Sequence, residues 1–208
     1  MKIIAQNNPQ SIDLACKFLR SGKAISFATD TVYGIGVDAC NEKAVELLYL
    51  LKKRDPKKPI AIFVKDIATA KDIFDFDETA EKISKKFLPG SLTLVLKQKS
   101  QTKIKIAKNL NLDAENFLGF RIVDCDFVKK LIAAFDGVLA VTSANPSGLE
   151  PASKATEVEK YFVNSDLDLI IDGGNLTPKN ISTVVKVAGK KIEILRHGAI
   201  LESLITNI

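Results

Sequence analysis

This 208-residue chain has no tryptophan, one histidine (His197), one methionine and three cysteines. Cys16, Cys40 and Cys125 are odd in number, far apart and never arranged as C-x-x-C. That argues against a disulfide framework and, with a single histidine, against a His/Cys zinc site. The cysteines read as small buried hydrophobes in a reducing compartment. Without tryptophan, and with no aromatic residues interleaved among the basic ones, the chain lacks the stacking platform of a single-strand nucleic-acid binder. One histidine and scattered serines speak against acyl-enzyme chemistry. No Gly-x-x-x-x-Gly-Lys-Ser/Thr segment occurs, which excludes a P-loop. No apolar run approaches the length of a membrane span, and residues Met1 to Asn8 have neither the apolar core nor the cleavage site of a secretory signal. The expectation is a cytoplasmic protein with no membrane partner.

What is present is an ordinary globular composition, 46% hydrophobic and 26% charged, with a formal net charge of +5 and a pI near 9.0. The basic residues cluster in Lys52-Lys53-Arg54 with Lys57-Lys58, and again between Lys97 and Lys108. A modest positive charge fits a nucleic-acid binder or an enzyme acting on phosphates. No repeat or linker interrupts the chain, so one domain over residues 1–208 is expected.

Asn8-Pro9 reads as an N-cap with proline at the first helical position, starting a helix that ends at Ser21-Gly22. Asn41 caps a helix over Glu42 to Lys53, with Ala44, Leu47, Leu48 and Leu51 at helical spacing. Further helices are expected near 68–74, 78–88, 127–135, 155–162 and 199–205. Strands are expected at 23–28, 59–64, 92–97, 119–123, 138–143 and 167–172, with a hairpin over 183–187 and 191–195. The stretch from Lys99 to Asn116 reads as a polar surface excursion. Strands and helices intermix without strict alternation, which predicts an α/β fold with a mixed sheet.

Several strands end in unusual polar sequences. Ala24 to Ala28 stops at Thr29-Asp30-Thr31-Val32-Tyr33-Gly34-Ile35-Gly36, which puts hydroxyls, a carboxylate and bare backbone at a sheet edge where ligands bind. Lys52 to Pro59 separates a helix from the next strand. Thr142-Ser143-Ala144-Asn145-Pro146-Ser147-Gly148 follows a buried strand, and reads either as a tight turn or as a binding loop. Asn180-Ile181-Ser182-Thr183 and Arg196-His197-Gly198 complete the set. His197 alone reads as a structural or surface histidine. Arg121 stands in an apolar strand, where a charge needs a partner: an aspartate such as Asp30 or Asp172, or, as preferred here, an anionic ligand matched by the guanidinium fork. Gly34-x-Gly36-x-x-Ala39 also matches a dinucleotide turn. Five residues separate it from the preceding strand, and no acidic residue ends the next one, so that reading is set aside.

Together these segments, with Pro89-Gly90-Ser91-Leu92-Thr93-Leu94 and Ser182-Thr183-Val184-Val185, resemble the YrdC-like family of threonylcarbamoyl-adenylate synthases, in the family's order and over roughly residues 10 to 200. The resemblance implies a YrdC-like single domain, a twisted mixed sheet with flanking helices around a large basic cavity. It implies that L-threonine, bicarbonate or CO2, and ATP give threonylcarbamoyl-AMP and pyrophosphate for threonylcarbamoyladenosine modification of tRNA. It assigns Lys52 and Arg54 to catalysis at the phosphates. Thr31, Arg121, Val141 and Ser182 go to threonine, and Arg54, Lys58, Ser143, Asn145, Pro151 and Arg196 to the nucleotide. Mg2+ is expected to travel with ATP, with no protein metal ligands. A downstream threonylcarbamoyl transferase, and tRNA or double-stranded RNA, are the implied macromolecular partners. The chain departs from the family pattern at Phe63, where members often carry a threonine-linked histidine, and at Val123, where they carry proline. It lacks the extra C-terminal domain of longer members. The alternative is an RNA-binding or ribosome-maturation factor using the same cavity. A carbamoyl-adenylate module of the hydrogenase-maturation kind is disfavoured, because flanking acylphosphatase and zinc-finger segments are missing.

Overall fold

A computed structural model describes residues 1–112, 114–177 and 181–208; Asn180, one of the polar residues singled out above, lies outside them. The described residues form ten strands in one mixed sheet and seven α-helices. The strands are β1 (Lys2–Ala5), β2 (Ala24–Ala28), β3 (Tyr33–Asp38), β4 (Ile62–Phe63), β5 (Leu92–Lys97), β6 (Phe117–Arg121), β7 (Leu139–Ser143), β8 (Leu167–Asp172), β9 (Thr183–Ala188) and β10 (Lys191–Arg196). The helices are α1 (Ser11–Arg20), α2 (Glu42–Lys52), α3 (Ile67–Ile73), α4 (Glu78–Phe87), α5 (Asp126–Phe135), α6 (Ala155–Phe162) and α7 (Glu202–Thr206). Strand order across the sheet is β1-β8-β2-β3-β7-β4-β6-β5-β9-β10.

Helices cover both faces. Ala15, Cys16 and Leu19 of α1 pack with Phe127, Val128, Leu131 and Ile132 of α5 onto Ile25, Phe27, Leu169 and Ile171. The larger core lies on the opposite face and takes in Leu48 of α2, Ile73 of α3, Ile83 of α4 and Val158 of α6. Each such fully buried aliphatic side chain contributes about 1.5–3 kcal/mol. The α1–α5 cluster reaches Leu139 and Val141 of β7 and Phe63 of β4. Beyond it, residues of β6, β5 and β9 line an open space on that face, and period-2 alternation decides what each strand shows there. In β6, Leu118 and Phe120 enter the larger core while Phe117, Gly119 and Arg121 face the open space.

Most expected elements are present, and the differences are physical. Thr29 to Gly36 is not a strand end at an open edge. Thr29 to Val32 turns a hairpin, and Tyr33 starts β3, antiparallel to β2 with Ala28 opposite Tyr33. Gly36 makes no room for substrate: a Cβ there would meet the Phe27 ring at 2.9 Å, so the glycine serves close core packing. The strand expected over 59–64 shortens to Ile62–Phe63. Asn8 accepts from Gln10 N in a turn ahead of α1 instead of capping it. β1 escaped detection because its burial pattern is almost wholly exposed. The 99–116 excursion is partly interior: Ala107 and Leu110 are buried, Ala107 N donates to Ala39 O at 2.9 Å, and a 3-10 turn at Lys108–Leu110 packs on the larger core.

Candidate active site

The open space is a cavity of about 370 Å³. Of the residues assigned above, Thr31, Arg54, Arg121, Val141, Ser143, Pro151, Ser182 and Arg196 line it; Lys52, Lys58 and Asn145 do not. Thr29, Phe63 and Thr93, which the sequence reading named without giving them a role, also line it, as does Phe117, which that reading missed. Thr93 and Phe117 look like ordinary strand residues until the sheet's facing is known. Among the described lining residues three are arginines and none is acidic.

Arg121 ends β6 and is buried. Its Nη2 donates to both carboxylate oxygens of Asp30, each at 2.9 Å, and to Gly90 O at 3.3 Å. The Asp30 partnership weighed from sequence therefore exists, yet it uses one nitrogen, and the buried Nε has no partner. The Phe63 ring lies 5.3 Å from the guanidinium carbon, which adds a cation–π contact. Burial pushes the guanidinium's affinity for its proton down, and the Asp30 charge opposes this.

The other two arginines are held by neutral oxygens. Arg54 donates to Lys58 O at 3.0 Å and Pro59 O at 3.1 Å. Arg196 donates to Ser182 O and Ser182 Oγ, both at 2.9 Å from Nη2. Packing around Arg196, then the charges of Arg121 and Arg54, push its proton affinity down, so the three guanidiniums sense one another. No carboxylate pairs with Arg54 or Arg196 among the described residues.

The hydroxyls have defined directions. Thr29 Oγ1 gives its proton to Val32 O at 2.7 Å, so in its 3.2 Å contact with Thr31 Oγ1 it accepts. The Thr31 oxygen keeps its lone pairs for the cavity. Ser182 Oγ accepts from Arg196 and sits 2.9 Å from Thr93 Oγ1. Gly198 lets the turn after β10 cross the Ser182 backbone, because a Cβ there would collide with Ile181 O and Thr183 N.

Lys52 occupies a different place from the one its sequence neighbours suggest. The last residue of α2 is buried, and its ammonium donates to Ser143 O at 2.9 Å, Asn145 O at 2.6 Å and Asn145 Oδ1 at 3.0 Å. Its carbonyl accepts from Ser147 N at 2.8 Å. The side chain clamps the 143–147 loop from behind, while Arg54, two residues on, faces the cavity. Burial and the Arg54 charge push the ammonium down to about 8; the surrounding oxygens favour the charged form and work against that. The Asn145 amide nitrogen donates to Pro146 O and Leu149 O, so this side chain is spent within the loop. Lys58 is exposed and contributes its backbone carbonyl to Arg54. The basic residues between Lys97 and Lys108 stand outside the lining.

The family model for Sua5/YciO/YrdC proteins, described as telomere recombination, matches residues 17–198. A Methanocaldococcus jannaschii protein is 35% identical over 184 residues, which are 88% of this chain and 84% of that one. Human threonylcarbamoyl-AMP synthase is 32% identical over 206 residues, covering 93% of this chain and 69% of its own length. The structure of Pyrococcus abyssi Sua5 complexed with L-threonine superposes with a TM-score of 0.89 at 28% identity, over 100% of this chain and 60% of that chain. By the span of the family match and the extent of these similarities, the chain belongs to the Sua5/YciO/YrdC family.

Proposed function

We propose that this protein is a threonylcarbamoyl-AMP synthase, a nucleotidyltransferase acting on L-threonine, bicarbonate and ATP. The observation that carries the reading is a cavity with three arginines, one counter-carboxylate behind them, and no nucleophile–base pair. The threonine amine takes up CO2 derived from bicarbonate and becomes a carbamate. A carbamate oxygen attacks the α-phosphorus of ATP, its bond to the β-phosphate bridging oxygen breaks, and pyrophosphate leaves. Such a step asks the protein for positioning and positive charge.

Arg121 receives the threonine carboxylate on its free edge, with Phe63 beneath the guanidinium and Val141 against the side chain. Thr31 accepts a hydrogen bond from the substrate nitrogen, and Ser182 faces the carbamate. Arg54 and Arg196 hold the phosphates with Ser143, and Pro151 lines the nucleoside side. Lys58, exposed and outside the lining, supports Arg54 through its backbone carbonyl. Lys52 and Asn145 act through the loop that carries Ser143. Phe63 offers a ring and no hydrogen bond, so the amino-acid contact rests more heavily on Arg121 and Thr31. No group of three His, Cys, Asp or Glu placed to hold a metal occurs among the described residues. Mg2+ carried by the triphosphate would neutralise part of its charge. No helix is long and apolar enough to cross a membrane among the described residues, and a cytoplasmic setting beside tRNA and the transferase that consumes the adenylate fits the reaction.

The test is pyrophosphate release from ATP that requires both threonine and bicarbonate. Equal turnover without threonine removes the synthase reading. Salt-sensitive RNA binding with no turnover would put the RNA-binding factor in its place.

A further inference from the structure

Three arginines in one cavity pose a problem of discrimination. A triphosphate is attracted to all of them, yet the carboxylate of an amino acid must find one. The structure separates them by charge. The Asp30 and Arg121 side chains are 10% and 7% exposed, with both Asp30 oxygens 2.9 Å from a single nitrogen. This leaves Nε, buried and without a partner, on a guanidinium that lines the cavity. Asp30 itself does not line the cavity; it stands behind Arg121 in the β2–β3 turn. The pair sums to zero charge while still offering directed donors. Arg54 and Arg196 have no carboxylate partner among the described residues; carbonyl and hydroxyl oxygens hold them.

We propose that Asp30 sets the charge at the Arg121 end so that this end accepts an amino-acid carboxylate and refuses a phosphate group. The proposal rests on the synthase reading. Hydrogen bonds to the free edge suffice for a singly charged carboxylate. A doubly charged phosphate at the same place meets the repulsion of Asp30 a few ångströms behind the guanidinium, in a poorly solvated setting where such repulsion is strong. Asp30 acts through Arg121 as a positioning and charge-setting residue and touches no substrate.

The experiment follows labelled bicarbonate into the adenylate at varied threonine and ATP, with inorganic phosphate as the probe. In the wild-type protein, phosphate is expected to raise the apparent KM for ATP and leave that for threonine unchanged. Asp30→Asn keeps one oxygen for Arg121, removes the charge and replaces the second acceptor with an amide NH2. In this variant phosphate is expected to compete with threonine, raising its apparent KM about tenfold at a concentration without effect on wild type. Asp30→Glu is expected to restore the wild-type pattern. A purely structural aspartate would change stability and turnover without changing which substrate phosphate opposes. Competition between phosphate and threonine in the wild type, or an unchanged pattern in a folded Asp30→Asn variant, overturns the proposal. If Asp30→Asn does not fold, the wild-type measurement decides alone. Failure of the wild type to form any adenylate removes the synthase reading instead.

Discussion

The arginines of the cavity are held in two ways, and the difference is burial. Arg121 is buried, paired with Asp30 and backed by Phe63. Arg54 and Arg196 are more open and satisfied only by neutral oxygens. A buried arginine without a carboxylate would be very costly, so Arg121 must carry its own counter-ion. The other two can leave their charge uncompensated because solvent shares the burden. In the proposed reaction, burial thus separates the arginine suited to a single carboxylate from those suited to a polyanion.

Arg121→Ala is the strongest way to break this comparison. It strands Asp30 as a buried unpaired carboxylate, with an expected loss of about 3–5 kcal/mol of stability, and it abolishes saturation by threonine. Chemical denaturation and pyrophosphate release read the two effects. Arg54→Ala is expected to leave stability within about 0.5 kcal/mol and to raise the KM for ATP about tenfold or more, with the KM for threonine unchanged. Equal effects on both substrates would erase the distinction between Arg121 and Arg54. Gly198→Ala forces a Cβ against backbone at Ile181 and Thr183 and is expected to destabilise by about 1–3 kcal/mol, dragging Ser182 and Arg196 out of register. Raising salt sharpens the contrast without mutation: the KM for ATP should climb more steeply than that for threonine, because exposed charges are screened and buried pairs much less.

The smallest expected effect is in alkaline stability. Lys52 is pushed from its usual 10.5 down to about 8, so from pH 8 to 10.5 the unfolded chain binds more protons than the folded one, and stability rises with pH. Tyr33, buried and bonded to Gly174 O, is pushed up from 10 to about 12. Its contribution is complete below pH 10 and is lost as pH climbs towards 12. Urea titrations of wild type and Lys52→Met should differ by the first rise, and those of Tyr33→Phe by the later fall. A Lys52→Met curve parallel to wild type across pH 8–10.5 would show that the surrounding oxygens hold the ammonium charged throughout.

Much of the fold was legible because its signals are local. The α2 helix starts at Asn41, whose side chain accepts from Lys43 N and Ala44 N, and α6 and β8 match their apolar patterns over 155–162 and 167–172. β3 was hidden by its two glycines, whose use depends on Phe27 and Val141 from other strands. The site was legible as a set of polar interruptions. Their facing was not: Lys52 and Arg54 are neighbours with the same charge, yet one enters the loop behind the wall and the other enters the cavity, because the helix ends between them and Lys53 turns the backbone to φ 49.

By itself, the sequence determined the chemistry available: hydroxyls, arginines and bare backbone at strand ends. Those residue types follow from what the chain contains, whatever its shape. Only the tertiary structure decided which of them meet. Alternation along β5, β6 and β9 turns Thr93, Arg121 and Val184 into one shared space beside the α1–α5 cluster. The same packing brings Asp30, ninety-one positions away, onto Arg121, so long-range burial decided between the aspartates that the sequence offered.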